Sequence, residues 1–124
     1  MGHVILTVDA SAGVRQMVSF TLNGAGYEVI EAEKYKEALD ILFETKVDLV
    51  LADLNLPNEN AYEFINEIKD HPQYKSIPLI VLTAEPHTSQ KQQFIDAGAV
   101  AWIDKPLKPD RLVSIVKEFL NHNH

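Results

Sequence analysis

Two hydrophobic rhythms alternate along the chain. Short apolar runs rich in β-branched residues (Val4-Ile5-Leu6-Thr7-Val8, Tyr27 to Glu31, Val47 to Ala52, Ile77 to Leu82 and Val100 to Ile103) read as strands. Between them, apolar residues recur at helical spacing. Val14, Met17, Val18, Thr21 and Leu22 form one stripe, and Tyr35, Ala38, Leu39 and Leu42 the next. Ala61, Phe64, Ile65 and Ile68 repeat it, as do Leu112, Ile115, Val116, Phe119 and Leu120. Ser11 is placed to cap the first helix, Gly24-Ala25-Gly26 to close it, and Asp96-Ala97-Gly98 to close the fourth. The stripes are core positions, not cofactor boxes.

Strands alternating with helices predict right-handed βαβ units, hence an α/β fold with an open five-stranded parallel sheet and helices on both faces. Leu49-Val50-Leu51-Ala52, apolar on both faces, predicts the central strand. The fourth helix is the weakest. His87 to Gln93 is nearly all polar, leaving Phe94, Ile95 and Ala97 as its anchors. It reads as a short exposed helix or as a loosely held element able to shift.

Composition narrows the picture. A chain of 124 residues fits one domain, 1–124, with no linker, repeat or low-complexity tract. Asn121-His122-Asn123-His124 is expected to be a frayed end. No apolar run approaches the ~20 residues of a membrane span. Met1-Gly2-His3-Val4-Ile5 enters a strand without a basic leader, so a cytoplasmic address is expected. Cysteine is absent, which excludes disulfides and zinc-thiolate sites, and the five histidines lack metal-ligand spacing. Eighteen acidic against eleven basic residues leave a net charge of −7, which disfavours direct contact with nucleic acid or anionic lipid.

The chemistry gathers at one edge. In an open parallel sheet, ligands bind beyond the carboxyl ends of the strands. The first strand delivers Asp9 there, the third Asp53 followed by Leu54-Asn55-Leu56-Pro57, the fourth Thr83-Ala84-Glu85, and the fifth Asp104-Lys105-Pro106. Singly, each is an ordinary turn residue, cap or solvated side chain. Together they offer hard oxygen ligands for Mg²⁺, a carboxylate nucleophile and two donors for phosphoryl oxygens.

Val8-Asp9, Asp53 with Asn55 and Pro57 behind it, Leu82-Thr83-Ala84, Gly98-Ala99 and Lys105-Pro106 resemble, in order and spacing across the whole chain, the receiver domain of bacterial two-component response regulators. The resemblance implies the flavodoxin-like (βα)5 strand order 2-1-3-4-5, which periodicity does not supply. It implies Asp53 as phosphoacceptor, charged by a histidine kinase, a phosphotransfer protein of a phosphorelay or a small phosphodonor. Asp9, Asp53 and the Asn55 backbone carbonyl would hold Mg²⁺, and Thr83, Ala84 and Lys105 would receive the phosphoryl oxygens. Thr83 and Trp102 would form the switch, Trp102 standing where Tyr or Phe is usual. Asn55 and Glu85 would tune how long the acyl phosphate lasts, and Lys105-Pro106 would be cis. Such a protein signals to a downstream protein partner as a monomer or weak homodimer. It is not an enzyme beyond self-phosphorylation and self-dephosphorylation.

One departure matters. The family carries two adjacent acids after the first strand, and here Asp9 is followed by Ala10, which implies a weakened Mg²⁺ site. Ala61, where Gly is common, implies only a slightly different loop. Three rival readings follow. A haloacid-dehalogenase-type phosphohydrolase needs a second Asp two residues after its nucleophile, where this chain has Asn55, and usually a longer chain to cap its substrate. A flavodoxin needs a Ser/Thr/Gly-rich phosphate loop, but this one opens with the anion Asp9. The third, a degenerate receiver acting as a phosphorylation-independent interaction module, is favoured by Ala10 and opposed by intact Asp53, Thr83 and Lys105.

Overall fold

In the computed structural model, residues 2–84 and 91–120 are described. The elements run β1 (Val4–Val8), α1 (Ala12–Gly24), β2 (Glu28–Ala32), α2 (Tyr35–Glu44), β3 (Leu49–Asp53), α3 (Ala61–Asp70), β4 (Leu79–Thr83), α4 (Lys91–Ala97), β5 (Ala101–Asp104) and α5 (Pro109–Leu120). All strand pairs are parallel and the order is β2-β1-β3-β4-β5. β3 is central and buried along its whole length, as its unbroken apolar run requires.

Alternation along the strands splits the core into two layers. Leu6, Val8, Val50, Ala52, Leu79 and Val81 pack beneath α2, α3 and α4 with Leu42, Phe64, Ile68 and Phe94. Ile5, Leu49, Leu51, Ile80, Leu82 and Ile103 face α1 and α5 with Val18, Leu22, Leu112 and Val116. The helical stripes are therefore core.

The strands lie one or two residues C-terminal to the apolar runs that mark β2, β3, β4 and β5. Tyr27, Val47 and Ile77 are buried or half-buried before their ladders begin, whereas polar Asp53, Thr83 and Asp104 are paired in them. Hydrophobic runs report burial; the ladder follows backbone hydrogen bonds.

The ends of α1 and α4 match their signals, and α3 has an N-cap that the sequence pattern did not single out. Ser11 Oγ accepts from the Val14 N–H, and Asn60 Oδ1 from those of Tyr62 and Glu63. α4 closes with Ala99 N–H donating to the Phe94 carbonyl and Gly98 at φ +127°. Phe94 is buried and Ile95 half-buried, so these do anchor α4, while the preceding 85–90 lie outside the described residues. No helix among the described residues is long and apolar enough to cross a membrane.

Candidate functional site

Three of the expected side chains meet at the carboxyl edge. Asp9 follows β1 directly and is 1% exposed; Asp53 ends β3 and is 6% exposed. Lys105 follows β5, its N–H donating to the Thr83 carbonyl at 2.8 Å. That bond carries its side chain across the edge, where Nζ donates to Asp9 Oδ2 at 2.9 Å and to Asp53 Oδ2 at 3.2 Å. The second oxygen of each carboxylate is held by the loop behind it. Ser11 N–H donates to Asp9 Oδ1 at 2.9 Å, and Asn55 N–H to Asp53 Oδ1 at 3.0 Å. The Lys105–Pro106 bond is cis.

Two buried carboxylates around one half-buried ammonium leave a net negative charge. Burial works against the Lys105 ammonium, but its hydrogen bond to Asp9 and the charge of Asp53 more than offset this, holding its pKa above the ordinary lysine value. The ammonium thus stays charged between carboxylates that would otherwise repel each other.

Thr83 is buried at the end of β4, one residue beyond Leu82, the partner of Asp53. Ala84 follows it, exposed. Asn55 is exposed in the loop after β3. Trp102 pairs with Val81 and so shares a sheet face with Thr83; it is half-buried against the α2–α4 core layer and lines a cavity of about 420 Å³ with Asp104, Lys105 and Arg111. Ala10 is exposed and lines a cavity of about 450 Å³ with Glu33, Lys34, Pro57, Asn58 and Glu59. Glu85 lies outside the described residues.

Two contacts have no forerunner in the sequence pattern. Arg15 Nη1 donates to the Asp9 carbonyl at 2.6 Å while its Nε pairs with Glu31 at 3.2 Å. Tyr35, counted in an apolar stripe, donates its hydroxyl to the Asp53 carbonyl. A hydroxyl at a core position was the one available hint.

The chain matches the family described as "Response regulator receiver domain" over residues 5–117. It belongs to that family. The chemotaxis protein CheY4 of Vibrio cholerae superposes with a TM-score of 0.91 at 36% identity, covering 97% of this chain and 100% of that one. A putative response regulator from Chloroflexus aurantiacus does so at 0.91 and 35%, covering 98% and 99%. Among curated proteins, the phosphate regulon transcriptional regulatory protein PhoB of Pseudomonas aeruginosa is 37% identical over 97% of this chain and 52% of its own length. The chain spans about half the length of the curated relatives it matches. Two-component signal transduction, phosphorylation and magnesium dependence are general features of this receiver family.

Proposed function

We propose that this receiver is a working phosphorylation switch whose acceptor is Asp53. The observation that carries the reading is the convergence of Lys105 Nζ on Asp9 and Asp53. A buried strand-end carboxylate, aimed by the Asn55 N–H and flanked by a charged donor, suits nucleophilic attack on phosphorus. An Asp53 oxygen forms a bond to the phosphorus of a kinase phosphohistidine or of acetyl phosphate. The bond from phosphorus to the donor's nitrogen or oxygen breaks, and the leaving group keeps its electron pair. Lys105 and the Thr83 hydroxyl, with the Ala84 backbone, receive the phosphoryl oxygens, and the displaced Thr83 side chain signals through Trp102 to a protein partner. Asn55 and Glu85 set the lifetime of the acyl phosphate. The cytoplasm is the typical setting for such a domain.

The donor set fits magnesium, though sparsely. Asp9, Asp53 and the Asn55 carbonyl are hard oxygen ligands, yet no group of three His, Cys, Asp or Glu among the described residues could hold an ion. The remaining positions would fall to backbone and water. When bound, Mg²⁺ neutralises charge on the phosphoryl oxygens.

The test is intact-mass analysis after incubation with acetyl phosphate and Mg²⁺. One phosphoryl adduct is expected in the wild type and none in Asp53→Asn; an adduct persisting in Asp53→Asn overturns the assignment. Absence of any wild-type adduct at millimolar Mg²⁺ selects the second reading, a phosphorylation-independent interaction module, which the methyl group of Ala10 favours.

A further inference from the structure

Tyr35 opens α2, yet its hydroxyl and its N–H both reach across to the end of β3 and the loop behind it. Its hydroxyl donates to the backbone carbonyl of Asp53, and its N–H is held by Glu59 Oε1 at 2.9 Å. The second bond replaces a cap, because the Lys34 side chain at the N-cap position makes no capping hydrogen bond. Tyr35 is 5% exposed, and its ring stacks on Phe64, centroids 4.5 Å apart.

The Asp53 carbonyl lies past the last β1–β3 pair, Val8 with Ala52. The phenol supplies a donor there. On the other side of the same peptide unit, the Leu54 N–H donates to the Leu82 carbonyl at 3.1 Å. The peptide plane after Asp53 is therefore pinned at both its polar groups. The next N–H, that of Asn55, grips Asp53 Oδ1. A rotation of the pinned plane would carry this turn, and with it the carboxylate.

We propose that Tyr35 is a positioning residue for the Asp53 carboxylate, holding it through the Asp53 carbonyl. Its consequence for phosphorylation rests on the acceptor reading above. An ordinary phenol carries its proton at neutral pH, so the hydroxyl is a donor to that carbonyl. The bland alternative is that Tyr35 contributes only its ring to the core.

Tyr35→Phe keeps the ring and removes the donor. Ile115→Val, in the opposite core layer, supplies a control for stability loss alone. In Tyr35→Phe, hydrogen exchange at the Asn55 amide should quicken about 10-fold beyond the control, because a local opening is made easier. The maximal rate of phosphorylation by acetyl phosphate should fall about 10-fold, with its half-saturating concentration changed less than about 2-fold, because misalignment by a fraction of an ångström affects reaction more than binding. Asn55 exchange that merely tracks the control overturns the proposal, as does an unchanged maximal rate. A wild type that takes no phosphoryl group sinks the acceptor reading instead, and Asn55 exchange then decides the positioning role by itself.

Discussion

Ala10 presents a methyl group to a cavity of about 450 Å³ bordered by Glu33, Pro57 and Glu59, next to the buried carboxylate of Asp9. A methyl group ligates nothing, so a cation there has one charged oxygen fewer to bind. Ala10→Asp restores it. Magnesium affinity, followed by titration calorimetry, should tighten about 10-fold, the order of effect that ligand-shell changes produce. In the absence of the ion, the added carboxylate repels Asp9 and Asp53, and the denaturant midpoint should fall modestly. Unchanged affinity would mean that position 10 does not face the ion. The acids and the lysine of the site were readable because strand ends are predictable places. Arg15 and Tyr35 were not, because nothing local says which backbone carbonyl a long side chain will reach.

At the scale of elements, the junction of α3, β4 and α4 turns on one lysine. Lys69, in the last turn of α3, donates to the carbonyls of Lys75 at 3.1 Å and Ile77 at 3.0 Å. Its stem lies under Gly98, where an added Cβ would stand 2.6 Å from Lys69 Cγ. Only glycine suits that closeness, and φ +127° demands it independently. Desolvation lowers the Lys69 pKa below the ordinary lysine value. Between that lowered value and the unfolded value of about 10.4, the unfolded chain binds more protons than the folded one, so this lysine makes stability rise with pH. The stability of wild type minus that of Lys69→Met, from urea melts between pH 8 and 11, should therefore increase with pH. A flat or falling difference would show that Lys69 is not desolvated in the fold. Gly98 was legible as a helix stop, but its role as the floor beneath a lysine stem was not.

Across the whole molecule, the site and the β5 edge share one sheet face. Thr83 and Trp102 lie on neighbouring strands with side chains to the same side, and Trp102 is half-buried beside a cavity of about 420 Å³. In the switch we propose, withdrawal of the Thr83 hydroxyl toward the phosphoryl group opens space that the indole moves into. Trp102 is the sole tryptophan, so its fluorescence reports that step without interference from another indole. Emission should change once on adding Mg²⁺ and again on adding beryllofluoride, the second change vanishing in Asp53→Ala. The indole is bulkier than the Tyr or Phe usual there, so the inward state should be only partly populated. A bound mimic with no second change would remove Trp102 from the relay.

Much of the architecture is written in one dimension. Short β-branched apolar runs and period-3.6 stripes specify five strands, their helices and two buried layers, because burial is a local demand on sequence. The same local logic placed Asp9, Asp53, Thr83 and Lys105 at one edge. Periodicity could not supply strand order or exact ladder bounds, since both depend on which backbones pair. Nor could it reveal that Lys105 bridges Asp9, 96 residues away, and Asp53, 52 away. It was equally silent on Tyr35, whose hydroxyl looks in sequence like an incidental atom on an apolar stripe. Only folding brings that oxygen to the Asp53 carbonyl, because a hydrogen bond depends on distance and angle in space and not on spacing along the chain.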